Sequence, residues 1–267
     1  MLIRDLPASR RLPGTVLTVL ALLMVMTGCA SLPPGTKPDP RDRFERINRG
    51  IYGFNVKVDH AVLRPIARAY VKVTPRPVRT GVTNFMSNLT YTTTILNDFL
   101  QGQWRNGASD TARIIVNTLF GLGGIFDVAT PSGLDRHSAD LGQTLGKWGV
   151  RSGPYVMLPL LGPSTVRDSF GLLGDEYTTV RAYLKDPWVR WGLFSLDTVD
   201  HRAALLDEDR IIERSYDPYA FIRSVWLQRR DYEIHGDQSS AEPPSDLVDP
   251  MGEATPDHPA AEPQLPK

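Results

Sequence analysis

Residues 44–65 read Phe44-Glu-Arg-Ile47-Asn-Arg-Gly-Ile51-Tyr-Gly-Phe54-Asn-Val-Lys-Val58-Asp-His-Ala-Val62-Leu-Arg-Pro65. Phe44, Ile47, Ile51, Phe54, Val58 and Val62 recur at steps of three and four, which stacks them on one face of an α-helix. Pro65 lacks an amide hydrogen and is expected to interrupt that helix. Outward along the chain the same logic repeats. Asp186-Pro187 and Asp217-Pro218 each place a capping carboxylate before a proline suited to the first helical position, so a helix is expected to start at each. In the second, Tyr219, Ile222, Val225 and Trp226 form an apolar stripe, with Arg223, Arg229 and Arg230 elsewhere around the wheel. Thr165-Val-Arg-Asp168 has capping-box-like spacing and opens a further short helix. Strand-like alternation is scarce. The apolar but proline-broken run Tyr155-Val-Met-Leu-Pro-Leu-Leu161 suits a loop or a short hairpin better than a central strand. The fold class is therefore all-α, with one apolar loop or hairpin.

The ends bound that domain. Arg4, Arg10 and Arg11 precede an apolar run from Val16 to Met26, then Met26-Thr27-Gly28-Cys29. That run of 11 residues, interrupted only by Thr18, is too short for a bilayer span, which needs about 20, so residues 1–28 read as a secretory signal that is removed. Cys29 is the only cysteine of the 267 residues, so no disulfide can form within one chain. Its position after a small residue resembles the bacterial lipobox, with Met26 where leucine is preferred. Cys29 is thus expected to become the lipid-modified first residue, and Ala30 after it, rather than Asp, favours the outer membrane. Three acyl chains, each buried methylene contributing about 0.8 kcal/mol, hold such a protein firmly. Residues 29–40 are proline-rich and aperiodic, a tether. Residues 238–267 hold 7 of the 22 prolines, six acidic residues against one lysine, and no aromatic residue. That composition cannot bury a core, and a disordered tail is expected there. Residues 41–237 remain for one domain.

Within it, the chain's zero formal net charge hides a local excess: residues 41–80 carry ten Lys/Arg against three Asp/Glu. A solvated helix face explains this most simply, and attraction to anionic headgroups is the alternative. Nucleic acid is not a partner to expect in an exported lipoprotein. Ile114 to Ala129 is more apolar than a surface helix but is interrupted by Asn117, Asp127 and the glycines Gly121, Gly123 and Gly124. Burial in the core is the default for it, and likewise for Trp188, Trp191 and Trp226. A place in one leaflet, or at headgroup level for the tryptophans, is the alternative. The glycines suit either a helix C-terminus or a hinge. Thr90 to Thr94, followed by Asn97 and Asp98, puts polar groups where a core-facing helix would repeat apolar ones. A helix N-terminus with solvent-facing threonines accounts for this, and so does a polar channel wall.

Enzyme signatures fail one by one. Asp135-Arg-His137-Ser-Ala-Asp140 contains triad letters, but triads are assembled in space and no Gly-x-Ser-x-Gly elbow is present. Gly142-Gln-Thr-Leu-Gly146-Lys147 is one residue short of P-loop spacing and is followed by Trp148 instead of Ser or Thr. Gly121-Leu-Gly-Gly124 lacks the third glycine of a dinucleotide fingerprint. His60, His137, His201, His235 and His258 are scattered and suggest no metal, and no cofactor is expected.

The ordered motifs resemble those of the MlaA, or VacJ, family of phospholipid-transport lipoproteins of Gram-negative outer membranes. They are Phe44-Glu-Arg-Ile-Asn48-Arg49, Arg64-Pro65, Gly81-Val-Thr-Asn-Phe-Met-Ser-Asn-Leu89, Asn97-Asp-Phe-Leu-Gln-Gly102, Asn117 through Ala129, Gly142-Gln-Thr-Leu-Gly146, Gly153-Pro-Tyr155, Leu158-Pro159, Gly162 through Asp168, and Asp217-Pro-Tyr219. Arg43 and Leu141 depart from the family's usual proline and phenylalanine. The resemblance implies a ring-like helical protein in the periplasmic leaflet of the outer membrane, with a polar central channel and an association with trimeric porins. It implies removal of phospholipids mislocalised in the outer leaflet and their transfer to a periplasmic lipid-binding shuttle, with no enzymatic activity. It makes Thr90, Thr93, Thr94, Asn97 and Asn117 candidate channel lining, and Gly121, Gly123 and Gly124 a candidate gate or hinge. A structural lipoprotein that scaffolds porins without moving lipid is the alternative.

Overall fold

The computed structural model describes residues 39–236. Cys29 and the tail 238–267 lie outside them. Nine α-helices are formed among the described residues: α1 Glu45–Val58, α2 Arg64–Val73, α3 Arg76–Leu100, α4 Trp104–Phe120, α5 Leu141–Lys147, α6 Val166–Glu176, α7 Pro187–Ala204, α8 Asp209–Arg214 and α9 Pro218–His235. An antiparallel hairpin, β1 Tyr155–Leu158 and β2 Gly162–Thr165, pairs Tyr155 with Thr165 and Leu158 with Gly162. The fold is all-α with this one hairpin, as the sequence implies.

The expected starts are where local chemistry puts them. Asp186, Asp217 and Thr165 each accept from a backbone amide of the following first turn, of Trp188, Ala220 and Asp168 respectively. Each cap contributes on the order of 1 kcal/mol. Pro65 does not end the first helix. Residues Asp59–Leu63 form a π-helical turn, and α2 continues with Pro65 in its first turn. The wider turn makes room for a proline that cannot donate and would crowd the carbonyl four residues back.

The packing order closes on itself. α1 leads through the π-turn into α2, α2 packs on α7, α7 on α3, α3 on α5, α5 on α9, and α9 on β2, while β1 packs back on α1. The seam between the two ends of the domain is polar and buried. Asp42 accepts from Asn48 Nδ2 at 2.8 Å, and its other oxygen accepts from the Tyr219 hydroxyl at 2.5 Å and the Arg223 guanidinium at 2.9 Å. Asn48 also pins β1, donating to Tyr155 O and accepting from Met157 N. Around this seam lies the small apolar core of Tyr155, Met157, Tyr219 and Leu227, with Tyr52 and Trp226 edge-on to its rings. A second joint clamps α9 to α5 and α6: Arg230 donates to both Asp140 oxygens, at 2.6 and 2.7 Å, and to Asp168 at 3.0 Å. A third holds α7 to the π-turn and α8 through Arg202, bidentate on Asp59 and paired with Asp209. Few large apolar side chains are buried, and the circuit is held substantially by these polar joints, although Arg202 Nη1, Arg223 Nε and Arg230 Nε are each buried without a hydrogen-bond partner.

Candidate functional site

The threonine-rich stretch lies in the middle of α3, not at a helix N-terminus. Thr93 and Asn97, one turn apart, face the α5–α6 side. The Thr93 hydroxyl is 2.6 Å from that of Thr178. Asn97, 1% exposed, donates to Thr93 O and Asp175 and accepts from the Thr144 hydroxyl at 2.7 Å. Thr90 and Thr94, also one turn apart, are half-buried, and the Thr90 hydroxyl turns back onto the Met86 and Ser87 carbonyls of its own helix. Asn117 is elsewhere, buried in the last turn of α4, where its Oδ1 accepts from the amides of Val128 and Ala129, both at 2.9 Å. The structure thus brings Thr93 and Asn97 together at a helix joint and gives Asn117 the separate task of holding the loop after α4.

That loop contains the three glycines. α4 ends when Gly123 N–H donates to Thr118 O at 3.0 Å, with Leu122 in the left-handed region at φ 52°. This is the wrapped C-terminal geometry usually given to glycine. Gly123 and Gly124 follow at φ 73° and 96°. The loop then lies along α3, with Asn88 donating to Gly123 O and Asn84 to Ile125 O, both at 3.2 Å. Asp127 accepts from Arg113 at 2.6 Å and from the Thr130 hydroxyl and amide, and these donors outweigh burial and hold its pKa at about 2.

Two cavities border the loop. One is polar, about 20 Å³, room for roughly one water molecule, and includes Asn84, Ser87, Asn88, Arg113, Asp127 and Arg136 in its lining. The other is an open apolar groove of about 480 Å³ between α3, the loop and α7, bordered by Val78, Val82, Phe85, Phe126, Leu193 and Leu196.

Sequence reasoning missed a buried carboxyl pair between α3 and α4. Asp110 is fully buried and accepts from the Tyr91 hydroxyl at 2.8 Å, with His137 Nδ1 at 3.1 Å. Asp98 is buried beside it, and burial together with that second carboxylate pushes Asp98 up to about 7. An acidic residue in the last turn of α3 and another in the middle of α4 were the available signals. Asp175 behaves similarly: burial, with Asp140 nearby, raises it to about 6 against the opposing Leu141 amide and Asn97. Among the described residues no group of three or more His, Cys, Asp and Glu side chains is placed to hold a metal.

The apolar middle is not core. Leu119, Phe120, Leu122 and Phe126 are exposed, Phe120 at 72% and Leu122 at 69%. Trp188 is 85% exposed and Trp191 also faces out, whereas Trp226 packs on Tyr155. The core expectation therefore holds for Trp226 and is overturned for the others. Exposed apolar side chains on this scale mark a surface that meets lipid or protein. No helix among the described residues is long and apolar enough to cross a membrane.

Comparison with known proteins agrees with this architecture. The family described as MlaA lipoprotein matches residues 40–233. The intermembrane phospholipid transport system lipoprotein MlaA of Escherichia coli (strain K12) is 38% identical over 226 residues, covering 82% of this chain and 89% of that one. The lipoprotein of the same name from Haemophilus influenzae is 30% identical over 231 residues, covering 83% and 90%. A solved structure, described as the structural basis for maintenance of bacterial outer membrane lipid asymmetry, aligns with a TM-score of 0.66 at 38% identity, covering 72% of this chain and 98% of that one. With its family match running from the first described turn to the last helix, the chain belongs to the MlaA lipoprotein family.

Proposed function

We propose that this protein is an outer-membrane lipoprotein of intermembrane phospholipid transport. It removes phospholipids mislocalised in the outer leaflet and passes them to a periplasmic lipid-binding shuttle, working beside trimeric porins. The observation that carries this reading is the coincidence of a family match over the whole helical circuit with exposed apolar side chains on α4, the loop after it and α7. A protein resting in one leaflet needs such a surface and needs no spanning helix. Cys29 supplies the anchor in this reading. Thr90, Thr93, Thr94, Asn97 and Asn117 contribute to a polar path, Thr90 and Thr94 as lining and the others by fixing the helices around it.

The path must be divided. Each methylene moved into water costs about 0.8 kcal/mol, so a two-chain lipid crosses only if its tails stay against lipid or protein while its headgroup follows polar groups. Direction comes from the unfavourable placement of the lipid and from capture downstream. Lipid shedding from porin-containing proteoliposomes to a purified shuttle tests the proposal. Shedding that depends on this protein supports transport. A protein that binds porin but leaves shedding unchanged is a scaffold.

A further inference from the structure

Asp98 and Asp110 face each other where α3 and α4 meet most closely. They are 1% and 0% exposed, and the Oδ2 atom of each is buried with no hydrogen-bond partner among the described residues. The helices leave little room there, since a Cβ on Gly107 of α4 would meet the Phe99 ring of α3 at 2.8 Å. Two adjacent buried acceptors, each lacking a donor, are a combination that folded proteins avoid unless something is held between them.

The other oxygen of Asp110 is well supplied. It accepts from the Tyr91 hydroxyl of α3 at 2.8 Å and lies 3.1 Å from His137 Nδ1, while the Tyr91 hydroxyl accepts from the His137 amide at 3.2 Å. Asp110 thus clasps α3, α4 and the segment around His137, and those donors favour its ionised form. Asp98 has no comparable supply. Lys147 of α5 donates to Gln101 at 2.7 Å, Arg113 of α4 is taken by Asp127 and Leu134 O, and Arg136 lies over the Tyr91 ring, 6.0 Å from its centre. Asp175 of α6 is turned to Asn97 and the Leu141 amide instead. Among the described residues no set of side chains here is placed to hold a metal.

We infer that Asp98 and Asp110 form a one-proton binding site, Asp98 Oδ2 donating to Asp110 Oδ2, and that this proton locks the end of the α3–α4 hairpin. The single proton gives both orphaned oxygens a partner and leaves one negative charge, on the carboxylate that Tyr91 and His137 already support. It leaves to solvent past His137, whose side chain is 32% exposed. Two carboxylates then face each other in a dry joint, and their repulsion loosens the hairpin end. Asp98 keeps its proton up to about 7, so the site is filled below that pH and empties as pH rises through it. The joint therefore tightens in acid and loosens in alkali, locally and without the rest of the circuit unfolding.

The test takes the full-length lipoprotein in mild detergent and compares wild type, Asp98→Asn, Asp110→Asn and the double variant. Infrared spectroscopy reads the C=O stretch of a protonated carboxyl, and hydrogen-exchange mass spectrometry reads the amides of residues 98–113. At pH 6 either single substitution should remove the same acid band, worth one carboxyl, and the double variant should remove no more. From pH 6 to pH 8 the band should vanish in the wild type while protection of residues 98–113, corrected for the intrinsic exchange rate, falls about fivefold. In Asp98→Asn, whose amide donates to Asp110 without ionising, protection should stay within about twofold. Four results would overturn the site: no band at pH 6 that depends on Asp98, a band that Asp110→Asn leaves intact, a double variant that loses twice as much as either single one, or wild-type protection indifferent to pH while the band disappears. The wild-type titration needs no variant, so it remains decisive if Asp110→Asn fails to fold.

Discussion

The Tyr219 hydroxyl donates to Asp42 Oδ2 at 2.5 Å, joining side chains 177 residues apart at the seam where the helical circuit closes. Asp42 is buried with three donors on it, so each lost donor exposes the cost of an unsatisfied carboxylate. Tyr219→Phe should destabilise the domain by about 1–3 kcal/mol. Asp42→Ala should cost more, toward the ~3 kcal/mol end for a broken buried pair, because it strands Arg223. Asp39 and Glu45, each 3.7 Å from that arginine, limit the loss. Urea midpoints in mild detergent would measure both. Equal midpoints for wild type and Asp42→Ala would mean that the seam does not hold the circuit.

A second prediction concerns pH. The folded pKa of Asp98, about 7, stands above its ordinary value of 3.8, so the native state keeps a proton that the unfolded chain has released. Stability then falls as pH rises from about 4 to about 7, and Asp175, at about 6, adds to the same slope. Asp39, Asp127, Asp168 and Asp217 are lowered, so their contribution is lost only below about pH 4, as pH falls. The groups around Asp98 are Asp110, His137 and Lys147. Asp98→Asn keeps a donor for Asp110 without the charge, so it should flatten the decline between pH 5 and 8 and stabilise the protein at pH 8. A wild type with identical midpoints at pH 5 and pH 8 contradicts this account.

These two sites show where sequence reading succeeds and where it stops. The starts at Asp186-Pro187, Asp217-Pro218 and Thr165 were legible because a cap is local chemistry, complete within four residues. The helix of Phe44 to Val62 was legible by periodicity, but its continuation past Pro65 depends on a π-turn that no local rule demands. Burial was misjudged at Leu119, Phe120, Leu122 and Phe126 because apolar character was read as avoidance of solvent, and the sequence does not state which solvent surrounds that face. Asp98 and Asp110 are twelve residues apart on different helices, so only the packing of α3 against α4 makes them a pair. Thr93 and Asn97 were noticed for being polar in a helix interior, which identified them without revealing that their partners are Thr178, Thr144 and Asp175.

The two ends of the chain carry a third prediction. Cys29→Ser should yield a protein without acyl chains that no longer floats with outer membranes on a density gradient, since a single domain face without the anchor is a reversible attachment. Truncation after Asp237 should leave abundance and outer-leaflet phospholipid levels as in the wild type, because the composition of residues 238–267 supports no packed core. Unchanged mass and fractionation of Cys29→Ser would refute the anchor, and degradation of the truncated chain would make the tail part of the domain.

The last prediction separates a gate from a cap at the glycine loop. A Cβ on Gly121 would sit 2.1 Å from Phe126 O, and one on Gly124 would sit 2.5 Å from Asn88 Cβ at a φ of 96°. Neither neighbour is the free end of a flexible chain, so Gly121→Ala and Gly124→Ala should lower folded abundance. Gly123 differs. Its φ of 73° disfavours a side chain by roughly 1–2 kcal/mol, but the nearest atom to an added Cβ is 4.0 Å away on Phe85. Gly123→Ala therefore stiffens the loop with little steric damage, which makes it the informative variant. If the loop moves during lipid passage, Gly123→Ala should keep near-normal abundance while phospholipid accumulates in the outer leaflet, as read by leaflet-selective labelling. If the loop only terminates α4, lipid asymmetry should fail in proportion to lost abundance across all three variants, and the gate should then be abandoned.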